Sequence, residues 1–262
     1  MLLAVEVGNS QTKLAVFSGE QAVHSWRVRT LPSRTTDELA ALVWGLLTQN
    51  GLSWSMIDGM ALCSVVPTSQ PPWEELSTRV GVPLLVARHD ALPGLRVEVE
   101  HPEAVGVDRL IGCFAALLLY GGPVITVDLG TATTINYVTE DGRYLGGVIA
   151  PGVGTSAAAL FERAPQLRAV MLQAPSAVLG HSTATQLQAG IIWGAAGQID
   201  ALTERIRGEA GPARAVIATG GFAEEVARAS RTITSLDPLL NLEGLSLLHQ
   251  RLRAPQGRRS TP

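Results

Sequence analysis

Two short segments of this chain place a carboxylate, a glycine and small polar residues in the order that a phosphate-holding turn needs. The first is Glu6-Val7-Gly8-Asn9-Ser10-Gln11-Thr12-Lys13, and the second is Asp128-Leu129-Gly130-Thr131-Ala132-Thr133-Thr134. Glycine tolerates positive φ and lets a ligand approach the backbone, while the small residues beside it expose N–H and hydroxyl donors. Such a turn can hold a phosphate oxygen, and the carboxylate before it can orient a hydrated cation or a water. Lys13, the only lysine in the chain, falls in the first segment. One segment alone is ordinarily a plain turn; the second copy is what points to phosphate.

Each segment begins with an apolar run and continues into another, which predicts a β-hairpin with Gly8-Asn9-Ser10 or Gly130-Thr131-Ala132 at its turn. The carboxylates at 6 and 128 stand 122 positions apart, about one small domain, so a duplicated domain is the simplest account. Around the hairpins, 23–28 reads as a third strand and 36–49 as a helix capped by Thr35 or Thr36. Residues 60–66 read as a short buried strand ended by Pro67, and 106–119 as an apolar helix bridging the halves. Asp108 and Arg109 lie in that helix's first turn. Strands are expected from Val124, Thr133 and Tyr144, helices over 155–162 and 183–207, and a strand over 214–218 that runs into Thr219-Gly220-Gly221 and opens another helix. A last helix is expected over 239–251.

With 262 residues, 46% of them hydrophobic and 16% charged, the chain can bury two cores. The expected division is 1–121 and 122–253 with a cleft between them, and 254–262 as a flexible tail. A net charge of −3 gives no basic face for nucleic acid. Cys63 and Cys113 sit in apolar runs without CxxC spacing and read as buried reduced thiols. No signal peptide and no run of eighteen apolar residues is expected, so the sequence reads as that of a cytoplasmic protein without a membrane segment.

The paired carboxylate-x-Gly turns resemble the phosphate loops of the superfamily that contains sugar kinases, actin and the heat-shock chaperone ATPase. Within it, Gly106-Val107-Asp108-Arg109, Val127 to Thr134, Tyr144 to Gly152, Leu160-Phe161-Glu162-Arg163, Gly180-His181-Ser182-Thr183 and Gln188-Ala189-Gly190-Ile191 are similar to type III pantothenate kinases, in order and over nearly the whole chain. The resemblance implies an α/β fold of two duplicated actin-like, ribonuclease H-like domains, and ATP-dependent phosphorylation of pantothenate at the start of coenzyme A biosynthesis. It implies Asp108 as the base that takes the pantothenate proton, with Gly106, Val107, Arg109 and Thr183 also in the substrate site. It further implies ATP contacts from Glu6, Val7, Gly8, Asn9, Ser10, Gln11, Thr12, Lys13 and Thr131, and Asp128 as ligand of K⁺ or NH₄⁺ beside the Mg²⁺ of ATP. Gly220 and Gly221 resemble the superfamily's adenosine-side glycine pair. Family members are typically homodimers.

Without the resemblance, Asp108 and Arg109 read as an ordinary charged first helical turn, and Thr183 reads as a helix cap. Three residues depart from the family pattern: Glu6 stands for aspartate, Val99 for tyrosine, and His101 for asparagine. Val99 and His101 leave open a kinase for another small hydroxy acid or sugar, and Glu6 a nucleotide-binding regulatory homologue. Purified protein offered ATP with pantothenate and then other hydroxy acids separates the three readings.

Overall fold

The first strand of each hairpin is apolar almost throughout, and such a run suits a strand buried on both faces. The protein, seen in a computed structural model that describes residues 1–253, satisfies this twice. It divides into two compact units. One comprises Met1–Pro93, Val105–Ile111 and the described chain from Asn241 on; the other comprises Gly94–Ala104 and Gly112–Leu240. The tail expected over 254–262 lies outside the described residues.

In the first unit β1 (Leu2–Val7), β2 (Gln11–Ser18) and β3 (Gln21–Arg29) form an antiparallel meander. The chain then runs through α1 (Thr36–Gln49), β4 (Gly59–Ser64), α2 (Gln70–Val80) and β5 (Leu84–Val86). β4 pairs parallel to β1 and β5 parallel to β4, giving the order β3-β2-β1-β4-β5. Leu3, Val5, Leu14 and Val16 pack with Leu39, Val43 and Leu47 of α1 and Trp73 and Leu76 of α2. α1 begins where the sequence places it: Thr35 is the N-cap and forms a capping box with Glu38. α2 is unforeseen because Pro71 and Pro72 read as breakers. They occupy its first turn, where a missing N–H costs nothing, and Gly81 at φ 70° closes it.

After the short β6 (Arg96–Val97) comes α3 (Val107–Tyr120), whose first residues belong to the first unit and whose remainder belongs to the second. β7 (Val124–Leu129), β8 (Ala132–Val138) and β9 (Arg143–Pro151) repeat the meander. α4 (Val153–Arg163) follows, then α5 (Thr183–Gln188), a π-helical turn over Ala189–Trp193, and α6 (Gly194–Ala210). β10 (Ala215–Gly220), α7 (Ala223–Ala227) and β11 (Ser235–Leu236) complete the second sheet, ordered β11-β10-β7-β8-β9-β6. Apart from β6, that order and its strand directions are those of the first sheet. Both sheets also carry a register shift on the outer hairpin strand, after Val16 in one and after Tyr137 in the other. The duplication therefore extends to a β-bulge, which adds an unpaired residue and local twist at the same place.

The final helix, α8 (Leu240–Arg253), lies with the first unit apart from its first residue. Its buried Leu242, Leu245 and Leu248 supply the apolar face, and its far end is tied by Arg253 Nη2 donating to Asp58 O at 2.9 Å. Among the described residues no helix is long and apolar enough to cross a membrane.

One buried carboxylate holds the second unit's 230–232 loop. Asp200 on α6 accepts from Ser230 Oγ at 2.6 Å, Thr232 Oγ1 at 2.8 Å and the Arg231 and Thr232 N–H groups at 3.0 Å. Burial pushes its pKa up, but these hydrogen bonds outweigh burial and hold it below the ordinary aspartate value. A depressed pKa contributes stability above the unfolded value that is lost as pH falls through the folded one. Asp200→Ala is thus expected to cost about 3 kcal/mol at neutral pH. Urea titrations should show that cost shrinking as the pH falls below about 4.

Candidate functional site

The two hairpin turns are built by the same backbone bonds. Gly8 N–H donates to Gln11 O at 3.0 Å and Gly130 N–H to Ala132 O at 3.1 Å. Thr30, at the end of β3, donates its N–H to Ser10 O, and Gly152, at the end of β9, donates its N–H to Thr131 O, each at 3.1 Å. Behind β1 and β7, Val65 N–H reaches Val7 O and Gly221 N–H reaches Leu129 O, again at 3.1 Å. The turns differ in length. Val7 pairs with Thr12 in the first, whereas Leu129 pairs with Thr133 in the second. The closing pairs leave Gly8 to Gln11 in the first turn and Gly130-Thr131-Ala132 in the second, the three residues expected there, with Ala132 also opening β8 through its pairing with Pro151.

In the first unit Asn9, Ser10 and Gln11 are exposed at the turn and Thr12 is buried behind it. Thr12 Oγ1 lies 2.9 Å from Thr30 Oγ1, and Thr30 Oγ1 donates to Gly8 O at 2.7 Å, so a threonine pair braces the loop. Glu6 faces Lys13 across the β1–β2 pair and Cys63 across the β1–β4 pair. Glu6 is 5% exposed; Oε2 lies 2.9 Å from Lys13 Nζ and Oε1 accepts from Asn241 Nδ2 at 2.7 Å. Asn241 is not legible in the sequence. It lies on α8, 235 positions from Glu6, in no motif.

Gly106 and Val107 enter α3, with Asp108 and Arg109 half-buried in its first turn. Asp108 Oδ1 accepts the Arg109 N–H at 2.8 Å. A Cβ on Gly106 would stand 2.6 Å from that oxygen, so the glycine makes room for the carboxylate. Burial raises the Asp108 pKa; the Arg109 N–H pulls it back, and the charge of Glu6 pushes it up again. Cys63 belongs to the same cluster: burial, then Asp108 and Glu6, push its thiol well above the ordinary value, so it stays a neutral SH.

In the second unit Asp128 ends β7 beside Gly130 and Gly220. Side chains there would place Cβ 3.5 Å and 2.7 Å from Asp128 Oδ1. A side chain at Gly130 would make an ordinary contact, but one at Gly220 would crowd the carboxylate oxygen, so Gly220 leaves a cradle there that fits a hard cation sought by oxygen ligands. Thr131 is exposed on the turn, and its carbonyl accepts from Thr155 Oγ1 of α4 at 2.6 Å. Thr183 is not the helix cap: Ser182 caps α5 by accepting the Thr185 N–H, and Thr183 is the exposed first helical residue. It lines a cavity of about 680 Å³ with Thr133, Ser156, Leu160, Gln186 and Gly190, the last in the π turn. His101 is exposed and pairs at 3.5 Å with Glu103, and Val99 lies half-buried against Gly146.

Two sheets of one topology, each with a carboxylate ending the first hairpin strand, define a duplicated actin-like ATPase fold. Solved structures share it at low identity. A Campylobacter jejuni protein named for a Baf-family transcriptional activator covers 95% of this chain and 98% of its own, with TM-score 0.60 and 17% identity. A ROK-family glucokinase from Streptomyces griseus covers 95% and 99%, with TM-score 0.50 and 13% identity. The family profile for type III pantothenate kinase matches residues 2–205. Type III pantothenate kinases of Parafrankia sp. and Frankia alni are 42% and 41% identical to this chain, covering 98% and 96% of it and 100% and 99% of their own lengths. The chain belongs to the type III pantothenate kinase family.

Gly220 and Gly221 are separable by substitution. Gly220 sits at φ +100° with Leu129 backbone and Asp128 Oδ1 2.7 Å from its Cβ position, whereas a Cβ on Gly221 meets open space. Gly220→Ala is expected to cost about 2–4 kcal/mol and to displace Asp128. Gly221→Ala should hold the wild-type Tm within about a degree while weakening nucleotide binding if a flat base approaches there. Thermal melts with and without an ATP analogue read both.

Proposed function

We propose that this chain transfers the γ-phosphoryl group of ATP to the hydroxyl of pantothenate, giving 4′-phosphopantothenate at the start of coenzyme A biosynthesis. The full-length match to the family carries the reading. Asp108 is the base: it accepts the hydroxyl proton as that oxygen bonds to the γ-phosphorus and ADP leaves. A carboxylate whose pKa is raised by burial is better placed to take a proton than one in water. Arg109 binds the pantothenate carboxylate through its planar fork, with Gly106, Val107 and Thr183 completing the substrate contacts. On the first unit Glu6 to Lys13 serve the nucleotide phosphates, and on the second Thr131 does so.

Mg²⁺ accompanies ATP, and Asp128 would hold a monovalent cation, K⁺ or NH₄⁺, which supplies charge neutralisation beside the phosphates. The glycine cradle around Asp128 Oδ1 supports that assignment. We also propose a homodimer in the cytoplasm. Ile149, Met171 and Leu179 of the second unit are exposed apolar side chains suited to a partner surface, and both cysteines are buried and outside any disulfide.

Asp108→Asn should lower kcat by roughly 10²- to 10⁴-fold while leaving pantothenate binding measurable. Arg109→Gln should chiefly raise KM, and should cost far less with a neutral pantothenate analogue. The Asp108 substitution carries a second signature. A carboxyl whose folded pKa is raised contributes stability at low pH that is lost as pH rises through that pKa. Asp108→Asn should therefore melt above the wild type at neutral pH, with the gap closing in acid. Parallel loss of stability and activity in both variants would make the pair a structural helix start.

Asp128→Asn keeps the shape and removes the charge. It should weaken ATP use and flatten the response of the rate to added K⁺ or NH₄⁺, as measured in cation titrations. An unchanged cation response places the ion elsewhere.

A further inference from the structure

A glutamate at the end of β1 has one more rotatable bond than an aspartate, and its carboxylate accepts a hydrogen bond on one oxygen and forms an ion pair through the other. Asn241 Nδ2 takes Oε1 at 2.7 Å and the Lys13 ammonium takes Oε2 at 2.9 Å. All three residues are secluded: Glu6 and Asn241 are buried, and the Lys13 side chain is 14% exposed. The amide comes from α8, and α8 does not need this bond to dock. Leu242, Leu245 and Leu248 bury its face, Gln250 Nε2 donates to Gly19 O at 3.2 Å, and Arg253 Nη2 donates to Asp58 O at 2.9 Å. His249 closes over Gly59, whose Cβ position lies 2.6 Å from Nε2.

We propose that Asn241 is a positioning residue for nucleotide binding, acting through Glu6 to fix the Lys13 ammonium at the first hairpin. With Oε1 tied to the amide, the Glu6 carboxylate cannot rotate to take the lysine on both oxygens. The ammonium, on a flexible four-carbon stem, is then drawn to one oxygen of Glu6 and not to both, which sets where it stands at the hairpin. The same geometry assigns Glu6 a new part: its oxygens are occupied by protein partners, so it serves the phosphates by placing Lys13. The inference rests on reading the first hairpin as a nucleotide site, but not on the identity of the phosphate acceptor.

The experiment is titration calorimetry of the full chain with a non-hydrolysable ATP analogue, and separately with pantothenate, alongside thermal melts. Asn241→Leu should raise the analogue's Kd roughly ten- to a hundredfold, with pantothenate affinity kept. The exchange Glu6→Gln with Asn241→Asp keeps an amide–carboxylate bond between the two positions but moves the charge away from Lys13. It should restore the melting temperature and leave nucleotide affinity weak. Wild-type nucleotide affinity in Asn241→Leu, full recovery in the exchange, or equal loss of both ligands would overturn the proposal. A wild type that binds the analogue yet does not phosphorylate pantothenate removes the substrate assignment alone, and the variants' nucleotide affinities still decide the role of Asn241.

Discussion

A carboxylate at the end of a strand buried on both sides must be answered by its surroundings, because an isolated charge there would be too costly to keep. This constraint governs both halves of the molecule, and each half meets it differently. At Glu6 the answer is a lysine one strand away and an amide from the last helix. Beside Asp128 the backbone gives room, since Gly220 keeps a side chain away from the carboxylate oxygen. The first unit thus sets a lysine against its carboxylate, while the second sets a glycine beside its own. The neighbouring Asp108 depends on this balance, since Glu6 is one of the charges that raise its pKa.

The duplicated topology gives the chemistry its rigidity. In each unit the turn is held by the end of the third strand and by the residue following the parallel strand, through backbone bonds of matching length. Backbone-made turns need few particular side chains, which leaves Asn9, Ser10 and Thr131 exposed at the tips. Of the helices that follow, α1 covers its sheet with an apolar face, and α4 also braces its turn through the Thr155 hydroxyl on the Thr131 carbonyl.

Much of this was legible in the sequence because its signals are local. Apolar runs ending in carboxylate-x-Gly gave both hairpins, and the capping residues gave α1 to the residue. α2 was hidden by prolines that disfavour a helix interior yet suit its first turn. Thr183 and Ser182 are adjacent hydroxyl residues, and composition cannot tell which accepts the capping N–H; the geometry selects Ser182. Asn241 was beyond reach for a different reason. Its partner is separated from it by nearly the whole chain, and an asparagine in a leucine-rich helix carries no periodicity or motif that points to a distant carboxylate.

The one-residue difference between the turns has a bearing on how the two halves may be compared. Up to the glycine, residues 122 positions apart are counterparts, so Glu6 answers to Asp128. Beyond it the ladder pairings make Thr12 the counterpart of Thr133 and Lys13 that of Thr134, whereas an ungapped alignment sets Lys13 against Ile135. Since neighbouring strand residues face opposite sides of a sheet, that slip exchanges inside for outside along the whole second strand. Ancestral reconstruction of the undivided precursor, or any hybrid that grafts one half's second strand onto the other, must place its gap inside the turn.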